Sequence, residues 1–196
     1  PAYYLPQVRE AFANIDQLSS ENCRYLNHFQ FLRRCFEIMR YLPNWEQGKT
    51  ELCSSSSNRK LLVLDLDETL VHTFLTNAPE GCESVDVKIP NEPDRTVHFK
   101  IRPHCAEFLN AAAQYFDVCV FTAASANYAN AVIDRLDPTG RIFKARYYSD
   151  ACTRIGRYTV KDLRILNRDL KDVMLVDNTA LCFGFQIENG IPIVCY

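Results

Sequence analysis

Four short apolar runs in the later part of the chain constrain its fold more than any other feature. They cover residues 61–64, 118–121, 173–176 and 191–194, and helical patterns separate them. Each run is apolar on both faces, which is typical of a strand covered by helices on both sides. Strands that alternate with helices indicate a parallel sheet. The sequence therefore predicts an α/β fold with a central parallel sheet flanked by helices.

The segments between these runs predict one hairpin and two helices. Apolar and polar residues alternate at both ends of the segment 84–101, which predicts a short β-hairpin inserted after the first strand. The first helix starts at Arg102-Pro103 and is predicted to bury Cys105, Phe108, Leu109, Ala112 and Phe116. The second opens near Ser125 and is predicted to bury Tyr128, Ala131, Val132 and Leu136.

A polar, serine-rich connector at about 47–57 predicts a domain boundary near residue 59. The segment before it predicts a helix, because apolar side chains recur every three or four positions at Leu26, Phe29, Leu32, Phe36 and Met39. That helix either packs on the main core or forms a regulatory or partner-binding arm. A chain of 196 residues can bury one substantial core. We therefore assign 1–59 to a helical extension and linker, and 60–196 to the main domain.

Charge and cysteine content narrow the classes of function. The net charge of -2 gives no sign of the basic surface that is typical of proteins that bind nucleic acid. The nine cysteines contain no C-x-x-C pair and several lie in apolar runs, which predicts buried thiols in an intracellular reducing compartment, the nucleus or the cytoplasm. No apolar run approaches the roughly 18 residues of a membrane span. The sequence starts at Pro1 and ends inside an apolar run, as expected for a fragment of a longer protein. Such a fragment can lack an anchor or targeting signal.

Two carboxylates follow the first apolar run at the motif D-x-D-x-T. Asp65 ends the predicted strand, Asp67 lies on the following loop, and Thr69 completes the motif. Ligands in open α/β folds bind at the carboxyl edge of the sheet, where this motif is placed. Asp65 can be held rigidly as a nucleophile while Asp67 reaches the same substrate in another role. An ordinary turn rich in Asp is the alternative.

Three further polar elements follow in an order that suits phosphate chemistry. Thr122 comes directly after the second run, where its hydroxyl is available to a phosphoryl oxygen, although a lone Thr is more often a helix cap. Lys161 can neutralise the charge of Asp65 and a phosphate. Asp177 and Asn178 follow the third run and offer oxygen ligands to a hard cation. Each signal is weak alone, and their conjunction favours a phosphate-transfer site.

With these residues in place, the sequence resembles the haloacid dehalogenase superfamily, and within it the small C-terminal-domain phosphatases, the FCP/SCP-like DxDxT branch. The resemblance covers about 60–196 and implies a Rossmann-like haloacid dehalogenase fold. The matching motifs are DLDETLVH at 65–72, RP at 102–103, FTA at 121–123, KDL at 161–163, RDL at 168–170 and VDNT at 176–179. Residues 1–59 have no counterpart in this branch.

The resemblance implies a catalytic role for each aspartate of the first motif. Asp65 would attack phosphorus, bind Mg2+ and carry an aspartyl-phosphate intermediate. Asp67 would protonate the departing serine oxygen, later activate water, and offer its backbone carbonyl to the metal. Because a phosphate dianion repels a carboxylate nucleophile, a divalent cation and a lysine must offset that repulsion.

The resemblance also assigns the metal-binding and phosphate-binding residues. Asn178 would supply a side-chain oxygen to Mg2+, and Asp177 would support that site. Thr122 and Lys161 would hold the phosphoryl oxygens. Mg2+ suits these ligands because carboxylate, carbonyl and amide oxygens are hard donors.

The implied activity is Mg2+-dependent hydrolysis of phosphoserine or phosphothreonine in a protein or peptide, including peptides like the RNA polymerase II C-terminal domain. The short hairpin insertion would leave the site open to an extended chain. A dehalogenase does not need Asp67, and ion-pumping ATPases carry lysine there. Two alternatives stay open. One is a catalytically silent scaffold resembling the mitochondrial import subunit, and the other is a membrane-associated phosphatase of the nuclear-envelope type that acts on lipid-metabolism enzymes.

The sequence departs from the branch at one substrate-binding position. Ser149-Asp150 stands where members often carry Arg-Glu, and a hydroxyl cannot replace a bidentate arginine contact to phosphate. Arg154 or Arg157 is a candidate replacement. The branch also usually continues past the last strand with an acidic helix, which this chain lacks.

Overall fold

A computed structural model describes residues 59–74, 77–88, 93–156 and 158–196, and before them only Cys35 and Arg40. The chain divides into two units, Pro1–Pro43 and Asn44–Tyr196, and every element below belongs to the second. The helix predicted before residue 46, the serine-rich connector and Arg157 lie outside the described residues. The domain boundary near residue 59 stays a prediction.

Ten strands and two α-helices lie within the described part of 59–196. The strands are β1 (Leu61–Leu64), β2 (Val71–Phe74), β3 (Glu83–Val87), β4 (Arg95–Ile101), β5 (Asp117–Phe121), β6 (Phe143–Tyr147), β7 (Thr153–Ile155), β8 (Tyr158–Val160), β9 (Val173–Asp177) and β10 (Gly190–Pro192). The helices are α1 (Cys105–Tyr115) and α2 (Ala126–Leu136). Short 3-10 helices cover Ser149–Ala151, Leu163–Leu166, Leu170–Asp172, Ala180–Phe183 and Ile187–Asn189.

Five strands form the central sheet in the order β10-β9-β1-β5-β6, and each neighbouring pair is parallel. β1 lies in the middle, where Leu61 pairs with Val173 on one side and Asp117 on the other. Every residue of β1 and β5 is buried, as expected for strands covered on both faces. The predicted parallel sheet with flanking helices is confirmed.

The two edges of this sheet differ from the prediction. The sequence does not predict β6, in which only Phe143 and Tyr147 are buried and three positions between them are polar, small or exposed. An edge strand pairs on one side only, so it lacks the continuous apolar run of a central strand. At the other edge, β10 ends at Pro192, and the prediction of a strand as far as Val194 is wrong.

A second sheet follows β1 and consists of three antiparallel strands in the order β2-β4-β3. β3 and β4 pair with Val85 opposite Val97, which confirms the hairpin inserted after the first strand. The sequence does not predict β2, which adds to the hairpin with Val71 opposite Ile101. A separate antiparallel pair, β7 and β8, is also unpredicted.

Both helices pack on the central sheet through a single hydrophobic core. α1 buries Cys105, Leu109 and Ala112, whereas Phe108 is 45% exposed. The predicted burial of Phe108 is wrong because that side chain lies at the border of the stripe that the three buried residues form at i, i+4 and i+7. α2 starts after its N-cap Ser125 and buries Ala129, Val132, Ile133 and Leu136, with Tyr128 partly buried against the same core.

Two expectations from composition concern membranes and thiols. In the part of the chain that the structure describes, no helix combines the length and apolar character needed to cross a bilayer. The seven cysteines described are all free, and four of them, Cys35, Cys105, Cys119 and Cys182, are buried. Cys195 is exposed, so its predicted burial is wrong; it lies in the segment after β10.

Candidate active site

Asp65 lies at the carboxyl end of the central strand, at the middle of the sheet edge. Its backbone N–H donates to the carbonyl of Val176 at 3.0 Å, which continues the β1–β9 pairing by one residue. Its side chain is buried, at 6% exposure. This bond to β9 therefore fixes the backbone of Asp65 and leaves its carboxylate to the loops at this edge.

The loop after Asp65 folds back on itself. The carbonyl of Leu66 accepts from the N–H groups of Leu70 at 2.8 Å and Val71 at 3.1 Å, and Glu68 adopts a left-handed conformation with φ 61°. This turn brings the buried Thr69 beside Asp65, where the Thr69 hydroxyl donates to Oδ2 at 3.0 Å. The D-x-D-x-T spacing thus brings Thr69 back into contact with Asp65.

Lys161 is fully buried between two carboxylates. Its Nζ donates to Oδ1 of Asp65 and to Oδ2 of Asp177, both at 2.6 Å. Burial disfavours the ammonium, but Asp65 and Asp177 outweigh that penalty and raise the pKa of Lys161 above its ordinary value. Lys161 therefore stays charged and clamps the two carboxylates, and its predicted contact with phosphoryl oxygens stays a prediction.

Asp177 and Asn178 end β9 and meet the first loop. The Oδ1 of Asp177 accepts from the N–H of Thr179 at 2.7 Å. The Asn178 N–H donates to the Thr69 hydroxyl at 3.3 Å, and that hydroxyl lies 3.4 Å from Oδ1 of Asn178. Residues 109 positions apart are thereby brought into contact, because β1 and β9 are neighbours in the sheet.

Asp67 lies apart from this cluster and is held by neutral groups. Its Oδ1 accepts from the hydroxyl of Tyr128 at 2.5 Å and from that of Thr73 at 3.3 Å. Burial raises the pKa of Asp67; Tyr128 opposes the rise, and the charge of Asp65 adds to it. The two carboxylates of the motif therefore have different environments, a cation for Asp65 and hydroxyls for Asp67, as two different roles require.

Thr122 follows β5 directly and is buried. Its N–H donates to the carbonyl of Tyr147 at 2.9 Å, and its hydroxyl accepts from the N–H of Ala124 at 3.0 Å. These bonds fix Thr122 at the same sheet edge as Asp65, since β5 is parallel to β1. The phosphate-binding role of its hydroxyl stays a prediction.

The sequence family that matches residues 60–196 is NIF, the NLI interacting factor-like phosphatases. The chain belongs to this family. Among the relatives, CTD small phosphatase-like protein 2 of Dictyostelium discoideum is 43% identical over 70% of this chain and 24% of its own length. Nuclear envelope morphology protein 1 of Schizosaccharomyces pombe is 36% identical over 72% of this chain and 30% of its own. These matches confirm the predicted branch of small C-terminal-domain phosphatases.

A solved structure shares the fold of this family member. The fission yeast RNA polymerase II CTD phosphatase Fcp1 superposes with a TM-score of 0.59 at 24% identity, over 70% of this chain and 42% of that one. This likeness confirms the predicted haloacid dehalogenase-type fold. The chain spans less than half the length of the relatives and the structure named here.

The oxygen atoms beside Asp65 fit Mg2+. Oδ2 of Asp65 and Oδ1 of Asn178 lie 3.0 and 3.4 Å from the same Thr69 hydroxyl, so two hard ligands converge there. Two carboxylates around one ammonium also leave an excess of negative charge that a divalent cation offsets. Among the described residues, no three His, Cys, Asp or Glu side chains group into a metal site. Carbonyl, amide and water oxygens would therefore complete the shell, and Asp177 would support it.

The sequence does not predict several contacts around this site. Arg102, noted only as part of a motif, donates to the carbonyls of Thr69 at 2.7 Å, Glu68 at 3.1 Å and Val194 at 2.7 Å. Its guanidinium also lies 5.0 Å from the ring centre of Tyr196, whose N–H donates to the carbonyl of Glu68 at 3.0 Å. Arg102 thus ties the loop after Asp65 to the segment after β10, through backbone contacts that leave no spacing signal.

Ser149, which stands where members of the branch often carry arginine, lies close to the site. Ser149–Ala151 form a short 3-10 helix, and the N–H of Ser149 donates to the carbonyl of Ala124 at 2.9 Å in the loop after β5. Burial raises the pKa of Cys152 to about 11, with Lys161 opposing first and the exposed Arg154 opposing last. The charge of Arg154 therefore acts on Cys152, and its contact with substrate phosphate stays a prediction.

Proposed function

We propose that this chain is a Mg2+-dependent protein serine/threonine phosphatase that works through an aspartyl-phosphate on Asp65. The observation that carries the proposal is the pair of environments around the two aspartates. Asp65 is buried, ionically paired to Lys161 and aligned by Thr69, whereas the described side chains that hold Asp67 are hydroxyl groups. One carboxylate is thus prepared to attack, and the other to exchange a proton.

The first step transfers the phosphoryl group to Asp65. An oxygen of Asp65 forms a bond to phosphorus while the bond from phosphorus to the serine oxygen breaks, and Asp67 gives its proton to that oxygen. Lys161, between Asp65 and Asp177, offsets negative charge as the dianion approaches. Bound Mg2+ would supply further neutralisation of the phosphoryl oxygens.

The second step hydrolyses the intermediate. Asp67, now a carboxylate, takes a proton from a water molecule that attacks phosphorus, and the bond from phosphorus to Asp65 breaks. Inorganic phosphate leaves and both aspartates return to their starting state. Thr122 is the candidate for holding a phosphoryl oxygen through both steps, because it ends the strand next to β1.

Family membership supports a phosphorylated protein or peptide as the substrate, because relatives carry the name CTD small phosphatase-like. RNA polymerase II C-terminal-domain-like phosphoserine peptides are the first candidates. The 36% identity to a nuclear envelope morphology protein favours the nucleus or its envelope over the cytoplasm as the site of action. It also keeps open an anchored phosphatase that acts on lipid-metabolism enzymes.

The test is hydrolysis of 4-nitrophenyl phosphate with and without Mg2+ by wild type, Asp65→Asn and Asp67→Asn. Activity should require Mg2+, and both substitutions should reduce kcat by at least about a hundredfold, because Asp65→Asn removes the nucleophile and Asp67→Asn removes the base that activates water in the second step. Asp86→Asn is the matched control, because Asp86 is exposed in β3 and its carboxylate accepts from Thr96 in the neighbouring strand. Acid quenching of wild type with a labelled phosphopeptide should leave phosphate on Asp65.

A panel of phosphoserine, phosphothreonine and phosphotyrosine peptides then tests the substrate class. We expect turnover of the first two and little of the third. A folded wild type that is inert with Mg2+ would refute the proposal and favour the catalytically silent scaffold.

A further inference from the structure

Oδ1 of Asp67 is the meeting point of two hydroxyl groups. The Tyr128 hydroxyl lies 2.5 Å from it and the Thr73 hydroxyl 3.3 Å. The two hydroxyls also lie 2.5 Å from each other. The three side chains therefore form one hydrogen-bonded chain that ends on a single carboxylate oxygen.

Rigid elements supply both hydroxyl groups. Thr73 lies in β2, which pairs with β4 through Thr73 opposite Phe99. Tyr128 lies in the first turn of α2, with its ring packed against the hydrophobic core. Asp67 itself is fixed at the backbone by a bridge to Val71. The carboxylate is thus held from the antiparallel sheet and from the helix that follows the Thr122 loop.

This arrangement distinguishes the two oxygens of Asp67. A carboxylate turns readily about its terminal bond, so its two oxygens exchange unless hydrogen bonds select one. Each hydroxyl carries one proton, and the chain ends with a hydroxyl proton donated to Oδ1, which makes that oxygen the acceptor and leaves Oδ2 to carry the proton. No hydrogen bond to Oδ2 of Asp67 is found within the described residues.

We propose that Tyr128 and Thr73 are positioning residues that fix the carboxylate of Asp67, so that Oδ2 faces the departing oxygen of the substrate. The inference rests on the proposed function and extends it to residues outside the predicted motifs. Neither hydroxyl touches the substrate; each acts through Asp67. General acid catalysis depends on a heavy-atom approach of about 2.6–3.2 Å, so a freely turning carboxylate would spend less time in a productive position.

Comparing two leaving groups distinguishes a positioning role from a merely structural one, because a structural defect would lower kcat/KM equally for both. A serine alkoxide needs a proton as its bond to phosphorus breaks, whereas 4-nitrophenolate departs readily without one. A loss of acid positioning must therefore be large for phosphoserine and small for the nitrophenyl ester. The parameter to compare is kcat/KM, because it reports phosphoryl transfer to Asp65 whichever later step limits kcat.

The experiment compares Tyr128→Phe, Thr73→Val and the double variant with wild type, on a phosphoserine peptide and on 4-nitrophenyl phosphate with Mg2+. We expect Tyr128→Phe to lower kcat/KM about 10- to 100-fold for the peptide and less than about threefold for the ester. Thr73→Val should act in the same direction and more weakly. The double variant should lose less than the product of the single losses, because both hydroxyls belong to one chain.

Tyr148→Phe is the matched control. The Tyr148 hydroxyl donates to Asn130 at 2.8 Å, and its ring packs against the same core, but it does not contact Asp67. It should change kcat/KM for both substrates by less than about twofold, while its thermal midpoint reports the general cost of removing a tyrosine hydroxyl. If Tyr128→Phe fails to fold, Thr73→Val decides the outcome.

Equal losses on both substrates, or no loss on either, would overturn the positioning role while the Asp65→Asn result leaves the phosphatase activity standing. If wild type and Asp65→Asn were equally inert, the proposed function and this inference would fail together. A crystal structure of Tyr128→Phe supplies an independent check. The Asp67 carboxylate should then occupy more than one orientation, and a single unchanged orientation would refute the proposal.

Discussion

Replacing Lys161 with methionine should expose how strongly the buried cluster depends on one positive charge. Lys161 makes two 2.6 Å bonds, to Asp65 and Asp177, and its side chain is 1% exposed. Methionine has a similar length and keeps the apolar contacts, so the change isolates the charge. Removing one partner of a buried ion pair costs about 3–5 kcal/mol, because the remaining charge is left without compensation. For a chain of this size that corresponds to a fall in Tm of roughly 6–20 °C.

The pH dependence of this loss has a definite sign. Burial raises the pKa of Asp177, Lys161 opposes that rise and Asp65 adds to it. Without Lys161 the rise grows, so folded Asp177 binds a proton more tightly than the unfolded chain does. Stability gained by that protonation is present at low pH and is lost as the pH rises through the raised pKa. The deficit of Lys161→Met should therefore be largest near neutral pH and shrink toward about pH 5.

Urea unfolding at pH 5 and at pH 7.5, with chelator present so that bound metal does not contribute, measures both effects. Lys171→Met is the matched control, because Lys171 also bonds an aspartate, Asp169 at 2.8 Å, but is 74% exposed. Its unfolding midpoint should not change measurably. A midpoint for Lys161→Met within error of wild type at pH 7.5 would refute the reasoning about the buried charge.

Three further predictions concern stability. Gly190→Ala should lower the free energy of unfolding by about 1–3 kcal/mol in urea, because its Cβ would lie 2.2 Å from the ring of Phe183; an unchanged midpoint would contradict the clash. Asp137 has a lowered pKa, since bonds from backbone N–H groups outweigh burial, so stability falls as the pH drops below about 4. Asp137→Asn should flatten that fall in acid-unfolding curves, and an equally steep curve would show that other carboxylates cause it. Arg102→Leu should lower the free energy of unfolding by about 2–3 kcal/mol and should lower kcat, because three carbonyls including that of Val194 lose their donor. A thermal midpoint equal to that of wild type would show that Arg102 does not hold these segments together.

The central strands could be predicted because they are covered on both sides. β1 begins and ends at the residues of its apolar run, and β5 and β9 each differ from theirs by one residue. β6 carries Lys144 and Arg146 between its buried ends, so it lacks the continuous apolar run of a central strand and alternates over only five residues. Burial on two faces leaves a continuous apolar run in the sequence, whereas pairing at an edge leaves a shorter and weaker pattern.

The candidate site divides in the same way. The placement of Asp65 and Asp67 at the sheet edge could be predicted because they follow a recognisable strand at fixed spacing, and Lys161 because the proposed nucleophile near phosphate needs a cation. The contact between Tyr128 and Asp67 joins residues 61 positions apart through a side-chain hydroxyl. Periodicity marks Tyr128 only as a partly apolar helix residue, so its hydroxyl partner depends on the packing of α2 beside β2.

The central place of β1 has a consequence for synthesis of the protein. β1 pairs with β5 and β9, both of which come later in the chain, and the contact between Thr69 and Asn178 spans 109 residues. At a typical 5–20 residues per second, the ribosome needs roughly 5–20 s to make that stretch. The apolar strand β1 must wait through this interval without one of its two neighbours. Chaperones that shield a nascent apolar strand are therefore expected to act on β1, and the proposed hydrolysis can begin only after β9 has left the ribosome.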